Sequence, residues 1–416
     1  MILSQLFGNG DWLSSIIWFL FFFVMIFLYP KLMIYQITTK IENEVKRLEG
    51  WSDKAVNMVW KGMSKTPKKE QKNNIKRFIE FFMVSPIDLD PRGIIRKLDH
   101  VVKNQIEKFE YFVKNNSDLK DIEDRKNIEA GLEAAMMSHQ IAKITRHFLE
   151  LVKKYKNLQI AMIIQMQLPM IKDIAKAALK GTEDLTNGNP IGDTVGPFVA
   201  TKLIGKDKPK EVKDKETAYA VKKINGRKCV IVKASGPGAR TGLIGEAVEK
   251  LVKKYKPKRI ITIDAASKLE GEKTGSLAEG VGIAMGGIGV QRYEIEEIAV
   301  KKKIPMDAIA IKMLQEEAIF GMKEEIYKAV PEAIERVKEN LERVPKGKTV
   351  MIIGVGNTCG VGNNEKSLPE AEKKIKANIK KMKKEEEEEK KKKKSFWSNF
   401  SPEFGMIFSR NLPHNF

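Results

Sequence analysis

The residues able to do chemistry gather in the second half of this 416-residue chain. Asp264 closes the apolar run Ile260-Ile261-Thr262-Ile263 and precedes Ala265-Ala266-Ser267. A carboxylate at the end of an apolar strand is poorly solvated, which suits it to bind a metal, act as a base or hold a ribose hydroxyl; capping a turn is the competing use. Glu279 is the single carboxylate in the glycine-dense stretch Thr274–Gly289 and is its natural companion. Asp264 and Glu279 are therefore the candidate catalytic residues, and the same pair is the candidate ligand set for a divalent metal.

Two further glycine-rich segments follow predicted strands. Ser235-Gly236-Pro237-Gly238-Ala239-Arg240-Thr241-Gly242 sits between a strand and a helix. Glycines there let backbone N–H groups approach an anion, the helix start favours negative charge, and Arg240 adds a fixed cation. A tight strand-to-helix turn calls for the same residues. The second segment, Gly354-Val355-Gly356-Asn357-Thr358-Cys359-Gly360, has the same look. The candidate anion-binding residues are thus Gly236, Gly238, Arg240, Thr241, Gly354, Gly356 and Asn357. Neither segment carries the lysine of a P-loop or the spacing of a dinucleotide fingerprint. Cys359 has no histidine in this part of the chain to activate it. Two cysteines and four histidines, with no HExxH, exclude a disulfide framework, a four-thiolate zinc site and a histidine-rich metal centre.

The elements that must position these residues read as an α/β domain over 217–364. Ala218–Ile224 and Lys228–Ala234 are predicted strands around Asn225-Gly226, a pair suited to a type I′ turn. Helix 241–255, strand 259–265, helix 292–302, strand 308–313, a helical stretch over 316–343 and strand 349–354 follow. Strands alternating with helices predict a mostly parallel sheet with helices on both faces. Upstream, 40–180 has helical periodicity: Ile94, Leu98, Val101, Val102, Ile106, Phe109 and Val113 recur at three- and four-residue steps, after an interruption at Pro86, Asp88, Asp90 and Pro91. Leu158–Leu168 reads as a buried core helix, too short to span a bilayer. His139 and His147 lack ligand-spaced partners and read as packed or surface residues. Such a region reads as a bundle or a coiled-coil-like oligomerisation collar, a route to a homo-oligomer. Residues 181–216 are rich in Gly, Pro, Asn and charge and read as a linker. Residues 365–416, with five Glu followed by five Lys at 385–394, read as a solvated helix or a disordered tail ending in an aromatic-rich peptide.

At the other end, Trp12–Pro30 carries no charge, and Ile16–Tyr29 is an unbroken apolar or aromatic run. That length predicts a transmembrane helix over 12–35. No basic residue precedes Lys31, which argues against a cleaved signal peptide. Residues 31–77 hold twelve Lys or Arg against five Asp or Glu, so the amino terminus is expected outside and the bulk of the chain cytoplasmic. The basic flank suits anionic lipid; beside a membrane span, that use outweighs nucleic acid for a chain of net charge +21.

The run Arg259–Arg292 resembles the central segment of the spore germination protease family, which shares a fold with the hydrogenase maturation proteases. The residues that carry the likeness are Ile263-Asp264-Ala265, Ser267, Thr274, an acid-Gly step, and Gly282-Ile283 leading to Arg292. The resemblance implies a phosphorylase/hydrolase-like sheet, peptidase-like hydrolysis and a metal-binding or catalytic role for Asp264. It departs where that family's other acid follows the first strand, a place held here by Arg240-Thr241, and where Ala284 and Met285 replace a polar residue. The whole chain is also similar to an uncharacterised archaeal family of single-span membrane proteins. Two functions follow as expectations: a membrane-anchored hydrolase, or a non-enzymatic nucleotide- or anion-sensing scaffold at the membrane.

Overall fold

The computed structural model describes residues 12–83, 93–283, 285 and 289–400. Asp11, the interruption at Pro86–Pro91, Ala284 and Gly286–Ile288 of the glycine-dense stretch, and the aromatic-rich end at 401–416 lie outside the described residues. The chain forms two compact units: Met1–Phe82 with Asn115–Asp118 and Gly131–Glu183, and Met83–Lys114 with Leu119–Ala130 and Asp184–Phe416.

The elements up to the middle of the chain are helical: α1 (Trp12–Phe23), a π-helical turn (Val24–Leu28), α2 (Tyr29–Gly62), α3 (Lys69–Phe78), α4 (Ile94–Asn116), α5 (Ile122–Tyr155) and α6 (Leu158–Thr186). Pro30 follows the π-helical turn, where the Tyr29 N–H reaches back five residues to the Val24 carbonyl, so the residue without an N–H sits beside a widened turn inside one continuous helix. In the first unit, Ile37, Ile41 and Val45 recur every fourth residue along α2 and pack on Leu149 and Val152 of α5 and Ala161, Ile164 and Leu168 of α6. Leu48 continues the stripe against Ala142 and Ala175. His139 is a packing histidine, its ring nitrogens 2.8 Å from Glu80 and 3.3 Å from Ser52. Leu158–Leu168 is helical as expected but buries one face only: Met162, Ile163 and Met166 are exposed.

The second unit continues with a 3₁₀ turn (Gly192–Thr194), α7 (Val195–Ile204), β1 (Lys210–Val212), β2 (Thr217–Ile224), β3 (Arg227–Ala234), α8 (Ile244–Tyr255), β4 (Ile260–Ser267), β5 (Leu277–Val281), α9 (Val290–Lys302), β6 (Met306–Met313), α10 (Gln315–Ile319), α11 (Glu324–Glu342), β7 (Thr349–Gly354), a 3₁₀ turn (Glu365–Ser367) and α12 (Leu368–Phe400). The sheet order is β1-β2-β3-β7-β4-β6-β5. The central strands β3, β7, β4 and β6 are parallel to one another, whereas β1, β2 and β5 run antiparallel to their neighbours. The sheet is therefore mixed rather than mostly parallel. Asn225 and Gly226 both adopt positive φ, 45° and 78°, which closes the β2–β3 hairpin as that dipeptide predicts. The apolar runs of β3, β4 and β7 are buried on both faces, as central strands covered by helices must be. One face packs on α7, α11 and α12 through Phe198, Ile263, Ile352, Ala333 and Ile375. The other packs on α8 and α9 through Val230, Val232, Met351, Val248 and Ile298.

Three segments differ from the sequence reading or refine it. The segment expected as a linker holds α7, whose Val195, Phe198, Val199, Ala200 and Ile204 are core residues. The glycine-dense stretch supplies an edge strand, β5. The charged tail is helical from Leu368, and its first turns bury Leu368, Ala371 and Ile375 against the sheet domain. Ile375→Ala should therefore cost about 2–4 kcal/mol in urea unfolding, whereas Lys391→Ala, on the exposed part of the same helix, should change stability by less than about 0.5 kcal/mol.

Candidate functional site

Parallel strands β3, β7 and β4 end together, and in an open α/β sheet this carboxyl rim is where ligands enter. Here the chain itself lies across it. A Cβ on Gly196 would stand 2.1 Å from the Val355 carbonyl oxygen and 2.6 Å from that of Ile263, so only glycine lets α7 begin directly on the ends of β7 and β4. Asp193, one turn earlier, accepts the N–H of Asn357 at 2.7 Å. Burial pushes the Asp193 carboxyl above the usual carboxylate range, and that N–H opposes the rise.

The two glycine-rich loops meet. Thr358 Oγ1 lies 2.7 to 3.1 Å from the carbonyls of Ser235, Gly238 and Arg240. The Thr358 N–H donates to Arg240 O at 3.0 Å and the Gly360 N–H to Pro237 O at 2.8 Å. The first loop holds an anion of its own chain. Glu123, in the first turn of α5, accepts the Gly238 N–H through one oxygen and Arg240 through the other at 3.1 Å. The approach is possible because Gly238 has no side chain: its Cβ would fall 2.6 Å from that carboxylate. Asn127 takes the Ala239 N–H at 2.9 Å, and Asn363 takes the Gly236 N–H at 2.8 Å. The N–H groups of Gly236, Gly238, Ala239 and Asn357 are thus occupied by Asn363, Glu123, Asn127 and Asp193. Thr241, at the edge of the first loop, is exposed.

Lys233, near the end of β3, is fully buried beneath these loops. Its ammonium nitrogen donates to Ala234 O at 2.9 Å, Gly362 O at 3.2 Å and Asn363 Oδ1 at 2.9 Å, tying both loops to the sheet. Burial, helped by repulsion from Arg240 and opposed by Glu123, pulls its pKa down to about 7.

Asp264 is buried at the rim, its Oδ1 accepting the N–H of Ala265 at 2.7 Å. Glu279 is elsewhere. It pairs with Ile309 on β6, which pairs with Ile263 on β4, so Glu279 shares a face with Ile263 while Asp264 points to the opposite one. With β6 between them, their strands are also about 10 Å apart. Glu279 instead faces α11, 3.2 Å from Asn340 and 3.6 Å from Arg336. This donor pair does not fit one metal ion, and no group of three or more His, Cys, Asp or Glu suited to a metal occurs among the described residues. Cys359 is buried and its thiol is pushed up, chiefly by burial; Cys229 is likewise held up at about 11. Neither is activated as a nucleophile.

Asp193, Glu123, Asn127 and Lys233 were not legible as site residues. Asp193 lies in Gly192-Asp193-Thr194, inside loop-like sequence. Glu123 and Asn127 lie more than a hundred residues before the loop they fill, and nothing in local spacing connects them.

An α/β unit whose carboxyl rim is closed by its own carboxylates, on a chain that starts with an outward-facing apolar helix, defines a class of closed-rim domain attached to a candidate membrane helix. Residues 15–188 match the N-terminal domain of the protein-of-unknown-function family DUF1512, and residues 191–362 match the C-terminal domain of the same family, so the chain belongs to it. No curated protein matches.

Two outcomes check the closed rim. Glu123→Gln should lower unfolding stability by about 1–2 kcal/mol, because Arg240 loses its nearer carboxylate and keeps only Glu216 at 3.8 Å. For Lys233, the unfolded chain binds a proton between about pH 7 and 10.5 that the folded chain lacks. Stability should therefore rise with pH across that window, by up to about 1.4 kcal/mol per pH unit, and urea unfolding of Lys233→Met should lose this slope.

Proposed function

We propose that this chain is a membrane-anchored scaffold whose α/β domain is non-catalytic, held on the cytoplasmic side by a single amino-terminal span. The observation that carries the reading is the occupancy of the rim: the N–H groups of Gly236, Gly238 and Ala239 in the first loop and of Asn357 in the second already serve Asn363, Glu123, Asn127 and Asp193. The separation of Asp264 from Glu279 across the sheet weighs on the same side, since two-carboxylate hydrolysis needs both acids at one water or metal. The anchor rests on α1 and the helix that continues it. The helix Ile16–Gly62 contains an 18-residue apolar stretch of mean hydropathy 2.2 with none of it buried, and Phe19 is 73% exposed. A core helix would bury such side chains; these need an apolar solvent. The basic residues that follow favour a cytoplasmic flank and contact with anionic lipid.

The purified full chain, incubated with unfolded protein substrate and Mg²⁺, Mn²⁺ or Zn²⁺ in turn, should release no more peptide than its Asp264→Asn variant. Metal-dependent cleavage lost in that variant, at an unchanged melting temperature, would establish the hydrolase instead. In cell fractions the chain should stay with membranes through high-salt and alkaline washes, and deletion of residues 1–35 should free it.

A further inference from the structure

The amino ends of the parallel strands lie at the opposite edge of the sheet from the closed rim, and the three segments that meet there carry cations without acids. Residues 219–228, 250–259 and 344–351, all in the second unit, hold ten lysines and two arginines and no Asp or Glu. Backbone bonds stitch these segments together. The Lys228 N–H donates to Lys348 O at 3.0 Å, the Lys258 N–H to Thr349 O at 2.8 Å and the Gly347 N–H to Gly226 O at 2.8 Å. Because β3, β7 and β4 are neighbours in the sheet, the main chain of Lys228, Lys348 and Lys258 forms one row about 10 Å across.

Some of the charge is spent on the fold. Arg227 donates to the carbonyls of Val344 and Asn225, Arg259 pairs with Asp307, and Lys222 and Lys253 reach Asp207 and Glu249. Lys223, Lys228, Lys256, Lys258, Lys346 and Lys348 are exposed and have no carboxylate in ion-pair range among the described residues. Register adds to the crowding, since Lys223 stands directly opposite Lys228 across the β2–β3 ladder, where like charges repel. The ammonium groups of Lys228 and Lys254 also converge on one ring. Each lies 5.2 Å from the centre of Tyr255, whose edge-to-face partner is Tyr219 at 6.0 Å. Cations gathered at a cost, with no counter-charge of their own chain, leave a positive field open to an external anion.

What accompanies the lysines selects the occupant. Val221 is the one exposed large apolar side chain in the three segments. A lipid-inserted contact needs apolar groups to bury, and the cores of protein interfaces are poor in lysine. A row of exposed ammonium groups with a tyrosine pair beside it suits the closely spaced phosphates of a nucleic-acid strand.

We propose that the amino rim of the sheet binds single-stranded nucleic acid through its phosphates, with Lys223, Lys228, Lys258 and Lys348 as the contacts. This partner is separate from the lipid that the flank of the span favours, and the proposal does not depend on the anchor. Contacts to phosphate carry no base preference. The full chain in neutral phosphatidylcholine discs is titrated with fluorescein-labelled strands of about 20 nucleotides, one of thymidylate and one of mixed sequence, and anisotropy is read at rising salt. Expected is binding of the two strands within about threefold of each other, weakening as salt rises. Lys228→Gln, Lys258→Gln and Lys348→Gln combined should weaken binding about tenfold or more and make the log–log salt slope shallower by about 2, whereas Lys→Arg at the same three positions should keep the affinity. Lys390→Gln, Lys391→Gln and Lys392→Gln combined remove equal charge from the exposed part of α12 and should change affinity by less than about twofold. No binding by the parent chain, no loss in the rim variant, or an equal loss in the tail variant overturns the proposal. So does displacement of the strand by phosphatidylglycerol vesicles or polyglutamate at a lower charge concentration than unlabelled strand requires, which would assign the rim to lipid or to an acidic protein.

Discussion

The constraint on which the sheet domain depends is the passage of backbone over backbone at the carboxyl rim of the sheet. The Cα of Gly196 rides on the carbonyls of Val355 and Ile263 with no room for a methyl group, and this contact sets where α7 begins. From there Phe198, Val199 and Ile204 fall onto the sheet face that also receives α11 and α12. The same passage delivers Asp193 to Asn357. Glycine is thus spent on contact between chain segments, a use of close approach equal in chemistry to ligand binding and opposite in function.

Buried charge at the rim is organised around that closure. Lys233, Arg240 and Glu123 form a short column from the end of β3 to the first loop, with Asn363 and the loop carbonyls taking the lysine's protons. A buried ammonium is costly, and three oxygen acceptors offset part of that cost. Glu123 offsets two cations that repel each other, which makes the column a device for fixing one arrangement of the loops rather than a large net source of stability.

How much of this was readable from the residues differs by element. β2, β3, β4, β6 and β7 appear within a residue or two of their expected spans because their apolar runs have a period that no helix shares. β5 was hidden because Leu277-Ala278-Glu279-Gly280-Val281 has no apolar alternation and owes its strand form to pairing with β6. α7 was hidden because Gly196 and Pro197 mark a loop by composition, although Pro is tolerated in a first helical turn. Asp264 is at a strand end as expected, but the side to which Glu279 points depends on register, and register is a property of pairing.

Composition and periodicity alone determined the apolar amino-terminal helix, the helical first half, the strand-helix alternation of the second and the glycine loops after its strands, because each follows from local patterns of apolar residues and backbone freedom. What fills those loops was decided by tertiary structure. Glu123 and Arg240 are separated by more than a hundred residues and become partners only because folding brings a helix start against a strand end. Local sequence carries no record of a partner supplied from so far away, so the same glycines that advertise a ligand site could be known as a closed one only in three dimensions.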